Sequence, residues 1–237
     1  MKRLIVLALM GAALLGATSD ARAGVVIATS PDGVTWTAQT LTGTSNEVSA
    51  DVLAASVVVG GVTFTGLHSA SSTYPGTATS AILNSTSGSA TGTGTAFVAY
   101  GISAFSAPTG AIQELTSISA TGTSPGGGKA TITSFATSPG SIVVGPGLPA
   151  MSNPVGPTSV TVANGASAGS PTASVGLSLG TPFTLFSIVQ VDLDGGGGIS
   201  FNGTEQVVVP EPSSMALLGC GIASMLGYGW KRRRVVA

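Results

Sequence analysis

The chain has 237 residues, 43% of them hydrophobic and 7% charged, with a formal net charge of −1. Soluble domains carry roughly a quarter charged residues, so this surface is unusually neutral. The single cysteine, Cys220, lies near the C-terminus, which excludes a disulfide framework or a thiolate metal site in the body.

The few charges are segregated. Lys2, Arg3 and Arg22 lie in the first 23 residues and Lys231, Arg232, Arg233 and Arg234 in the last seven, leaving only Lys129 between them. From Gly24 to Pro212 eight acidic residues face that one base, a balance of −7. Phosphate backbones are bound by clusters of Lys and Arg, so nucleic acid is excluded as a partner.

The start reads MKRLIVLALMGAALLGATSDARAGVV. A basic n-region (Lys2, Arg3), an apolar h-region from Leu4 to Ala17 and the small-x-small pattern Ala21-Arg22-Ala23 predict a signal peptide over 1–23. Signal peptidase would cut after Ala23 and leave Gly24 as the mature start. The alternative is an uncleaved N-terminal anchor.

The body repeats one theme, short runs rich in Val, Ile, Thr and Phe between Gly, Pro, Ser and Asn. The runs are 25–29, 34–37, 52–67, 95–102, 130–137, 159–163, 173–180, 184–193, 199–203 and 205–209. Val175, Leu177 and Leu179 alternate with Gly176 and Ser178, the period of a half-buried strand. β-branched runs with closely spaced turn residues predict an all-β body, an antiparallel β-sandwich or jelly roll, with helices only in the signal and C-terminal segments. Two stretches, Ser69 to Gly94 and Pro139 to Gly156, read as long surface loops. One domain over 24–208 is preferred to a boundary at the second, because the strand theme runs through both.

Chemistry-bearing residues are sparse. His68 is the only histidine, and no Gly-x-Ser-x-Gly elbow accompanies it. One histidine cannot make a usual zinc site. Asp192-Leu193-Asp194-Gly195 opens like a calcium loop, but the twelfth position is Gly203 instead of Glu, which favours a hairpin turn. Gly126-Gly127-Gly128-Lys129 lacks the spacing of a phosphate loop. No catalytic residue, metal or cofactor is expected. Trp36, Tyr74 and Tyr100 are the few aromatic candidates for stacking on a sugar.

The end reads VVVPEPSSMALLGCGIASMLGYGWKRRRVVA. A hairpin around the glycines 195–198 should lead into the strand that ends at Val209. Pro210 and Pro212 hold the next segment extended and remove two backbone donors, so it cannot join a sheet interior. Ser213 to Trp230 is 18 residues without charge, about 27 Å as a helix, marginally long enough for a hydrocarbon core of about 30 Å. Lys231, Arg232, Arg233 and Arg234 stop the segment and orient it with the C-terminus inside.

Pro210-Glu211-Pro212, the short apolar helix and the terminal basic cluster together resemble the PEP-CTERM sorting signal. The resemblance spans about Val209 to Arg234. It implies an exported protein whose Pro210, Glu211 and Pro212 are read by an exosortase, a membrane-embedded cysteine protease. A plain tail anchor is the alternative. The division is then 1–23 signal peptide, 24–208 ectodomain and 209–237 sorting signal. The function expected is non-enzymatic: a surface or matrix protein with a structural or adhesive role, alternatively a glycan-binding module associated with exopolysaccharide.

Overall fold

In the computed structural model the described residues are 24–39, 41–42, 49–52, 54–123, 126–138 and 154–210. The expected signal helix and C-terminal helix lie outside them, as do most of the Pro-rich stretch 139–156 and residues 211–237. Among the described residues no helix is long and apolar enough to cross a membrane.

All their regular structure is β. The strands are β1 (Val25–Ser30), β2 (Thr37–Ala38), β3 (Leu41–Thr42), β4 (Ser49–Val52), β5 (Val57–Val59), β6 (Val62–Ala70), β7 (Ser80–Phe105), β8 (Gly110–Thr123), β9 (Gly128–Thr137), β10 (Val155–Val162), β11 (Ser167–Gly169), β12 (Ala173–Leu179) and β13 (Phe183–Val208). Every strand ladder is antiparallel.

Two 26-residue strands organise the molecule. β7 and β13 pair along their whole length, from Val208 opposite Ser80 to Phe183 opposite Phe105. The first half of β7 and the second half of β13 are flanked by β6 and β8. The other halves are flanked by β1 and β9. One layer therefore runs β12 and β11, β8, β13, β7, β6, then β4 with β3, and β5 beside β6. The second runs β10, β9, β13, β7, β1, β2.

The ribbon folds where both strands carry glycine. Register slips between Leu193 and Gly197, opposite Gly94 and Gly92. Gly92 has φ +125, and a Cβ there would collide with the Gly61 carbonyl oxygen, so only glycine serves. Gly195 and Gly196 also have positive φ. The expected hairpin at 195–198 is thus a bend within one strand. Both sides of it pair with β7, so the chain keeps its direction along its neighbour.

Folding sets the two halves face to face. Tyr100 donates to the Ser87 carbonyl, 3.1 Å away, from the other half of its own strand. Phe64, Ile118 and Phe201 of one layer share a core with Ile27, Ile132 and Val189 of the other. Phe105 and Phe183 stack at 5.5 Å within a second cluster that includes Leu83, Ile112 and Val207. The result is two facing antiparallel layers made from one folded sheet.

The reading of Ser69 to Gly94 as a loop is corrected: β6 runs to Ala70 and β7 begins at Ser80. The stretch is poor in large apolar residues because little space is left on its inner face. A Cβ on Gly88 would press on Leu67 and Phe201, and Ala81 and Ala90 are buried. β8 lies where no Val- or Ile-rich run marks a strand. Its inward positions are Ile112, Glu114, Thr116, Ile118 and Ala120, and an inward glutamate breaks the apolar alternation that signals a strand.

Candidate functional site

The predicted signal-peptidase residues Ala21 and Ala23 lie outside the described residues. Gly24 is the first described residue, its N–H bonded to Ser103 Oγ at 2.9 Å and its carbonyl accepting from the Ser103 N–H at 3.0 Å. Of the sorting residues only Pro210 is described; Glu211, Pro212 and Lys231 to Arg234 lie beyond.

Pro210 leaves a well-anchored strand end. Val208 sits between Ser80 of β7 and Gln113 of β8. The Val209 N–H donates to the Thr79 carbonyl at 2.9 Å. The turn before β7 is tied by Thr77 Oγ1, which accepts the Ser80 N–H at 2.9 Å. Pro210 has no N–H, so the ladder stops there. Against this exit lies a cleft of about 630 Å³ whose lining includes Thr79, Ser80, Gln113, Gln206 and Pro210. Sequence reasoning missed it, because Gln113 and Gln206 carry no motif. They meet only through the pairing of β8 with β13.

Between the layers lies a buried acid pair that the sequence also did not announce. Glu114 of β8 and Glu205 of β13 are both fully buried. Glu114 Oε2 accepts the Ala136 N–H at 3.1 Å. Glu205 accepts the Phe186 N–H at 3.3 Å and the Ser187 hydroxyl at 2.7 Å. Ser134 bridges Ser187 and Thr116 at 3.0 and 2.8 Å. Burial pushes Glu114 up to about 7, against the lowering effects of the Ala136 N–H and a hydrogen bond with Glu205. Burial, and then the charge of Glu114, hold Glu205 well above the ordinary glutamate range. Their legible signal is parity: each occupies an inward position of an alternating strand.

A row of hydroxyls crosses the outer face of the β6–β8 layer. Thr65, Ser89, Ser200, Thr121 and Ser167 stand opposite one another in turn across five strands. Ser89 and Ser200 are hydrogen bonded at 2.7 Å, and Thr121 and Ser167 at 2.8 Å. At a strand spacing of about 4.8 Å the row is roughly 19 Å long. On the same layer His68 Nδ1 meets Asp51 Oδ1 at 2.7 Å, a cross-strand pair with substantial exposure.

Other candidates take structural places. Trp36 packs with Ala28, Ala99, Phe135 and Phe186. Tyr100 is fully buried, and Tyr74 packs edge-on against Phe105. Trp36 and Tyr100 therefore cannot form a sugar-stacking platform. Asp192 accepts from Thr95 Oγ1 at 2.7 Å and from Gln190 Nε2 at 3.0 Å. No group of three His, Cys, Asp or Glu able to hold a metal occurs among the described residues.

Comparison with known proteins adds one assignment. No curated relative matches the sequence. Among solved structures, the CBM22-1–GH10 modules of xylanase 10B from Clostridium thermocellum, complexed with xylohexaose, align at 9% identity and TM-score 0.29. That match covers 53% of this chain and 22% of the other. A structure from a study of carbohydrate-binding modules of the β-sandwich superfamily aligns at 11% identity and TM-score 0.28, over 77% of this chain and 84% of the other. The family described as the PEP-CTERM protein-sorting motif matches residues 208–234, so its first residue is the last of β13. The chain is a protein bearing a PEP-CTERM sorting motif at its C-terminal end.

Proposed function

We propose that this is an exported, non-enzymatic β protein, delivered to the cell surface or extracellular matrix by an exosortase-type protease, with a structural or adhesive role there. The observation that carries the reading is the position of the motif. β13 ends at Val208, Val209 is tied to Thr79, and the motif leaves the folded body at once. In this reading signal peptidase cuts after Ala23 and the segment from Ser213 to Trp230 holds the chain in the membrane. Lys231 to Arg234 stay on the cytoplasmic side, and the protease reads Pro210, Glu211 and Pro212.

The test is the mass of the surface form in cells with and without the processing enzyme. A shorter C-terminus only when the enzyme is present is expected; identical masses overturn the reading. Replacing Pro210, Glu211 and Pro212 together by alanine should reproduce the unprocessed form.

A second reading, adhesion to a neutral exopolysaccharide, is favoured by the hydroxyl row from Thr65 to Ser167. Such a face offers donors and acceptors without charge, suited to a polymer of hydroxyl groups. Affinity electrophoresis through neutral polysaccharide should retard the protein. Asn202→Lys and Ser119→Lys should abolish the retardation, and unretarded migration of the wild type removes the reading.

A further inference from the structure

We infer that the exit end of the sandwich is itself a docking surface for the membrane-embedded processing enzyme, with Gln113 and Gln206 as its hydrogen-bonding groups. The inference rests on the processing reading above. Its first support is chain length. Val209 is held in place by Thr79, and three residues from Pro210 to Pro212 reach at most about 10 Å beyond it. An enzyme that encloses this peptide must therefore come up against the folded end itself.

The second support is the chemistry of that end. The cleft beside Pro210 sets the hydroxyl residues Thr79 and Ser80 and the amides of Gln113 and Gln206 around an apolar floor of Val208, Val209 and Pro210, with no charged side chain. The segments that meet at this end, 71–81, 103–113, 136–138, 178–185 and 206–210, contain no Asp, Glu, Lys or Arg. Asp192 and Asp194 lie at the glycine bend, the other end of this layer. Glu114 and Glu205 are enclosed between the layers. A body with an excess of acids thus turns an uncharged, hydrogen-bonding end toward the membrane. It leaves the Gln113 and Gln206 amides to pair with a polar rim on the enzyme. Each glutamine supplies two donors and an acceptor.

The experiment follows processing of the full-length chain over time in cells that contain the enzyme. Gln113→Ala with Gln206→Ala should slow conversion roughly fivefold, the scale of one uncharged hydrogen bond. The unprocessed protein should melt at the wild-type temperature. A flexible six-residue Gly-Ser spacer between Val209 and Pro210 leaves the fold and the motif intact but breaks their register. It too should slow conversion. Wild-type rates for the double variant, or an unchanged or faster rate with the spacer, overturn the docking surface while the processing reading stands. A wild-type chain that is never shortened overturns both.

Discussion

Ser187 donates a 2.7 Å hydrogen bond to Glu205, a residue of the same strand eighteen positions away. In a straight strand they would be about 60 Å apart. The contact exists because β13 and its partner β7 bend together at their glycines and face themselves. It also brings a carboxyl group into an interior where it must be satisfied by protein. Replacing Ser187 with alanine removes this bond and the one to Ser134. The expected loss is about 1–3 kcal/mol, the cost of a buried polar group left short of a partner, read as a lower chemical denaturation midpoint.

The acid pair makes stability depend on pH in a direction opposite to that of most surface carboxylates. Burial raises both groups, so the folded state favours their protonated forms. Their contribution is fully present below the unfolded value of about 4.3. It is lost as pH rises, for Glu114 through about 7. The decline therefore falls between about pH 4.5 and 8. Melting temperatures should fall over that range. Glu205→Gln keeps the shape and removes the carboxyl whose ionisation is opposed by burial and by the charge of Glu114, so it should flatten the profile and raise the melting temperature at pH 8.

The bend is equally testable. Gly92→Val places a side chain against the Gly61 carbonyl at φ +125. Strain and collision together should cost about 2–4 kcal/mol. A variant as stable as the wild type in urea would mean that the two halves of β7 do not fold over at this residue.

Tyr100 offers a milder probe of the same closure. Its hydroxyl reaches across the interior to the Ser87 carbonyl, and Tyr100→Phe removes that bond while keeping the ring. The expected cost is about 1 kcal/mol, with no change in processing, because the ring lies far from Pro210 in the ladder.

Much of this was written locally. The sorting segment declares itself through residue types in order, since prolines, an apolar run and terminal arginines act by chain stiffness, hydrophobic length and charge, none of which needs a fold. Runs such as VVIAT and TLFSIVQV mark strands for a similarly local reason, the fit of β-branched side chains to a pleated surface. By contrast, the Ser- and Gly-rich half of β7 is a strand only because Leu67 and Phe201 close over it and leave no room for larger side chains. β8 hid behind an inward glutamate whose hydrogen-bond donor, the Ala136 N–H, comes from another strand. The glycines at 195–198 read equally well as a hairpin or as a bend; pairing of both flanks with β7 decided it. The cleft beside Pro210 arises where β8 and β13 set Gln113 and Gln206 near each other at the edge. The sequence by itself thus determined the sorting motif at 208–234 and that the body is β. Only the tertiary structure decided which polar residues meet, because those meetings depend on long-range strand pairing.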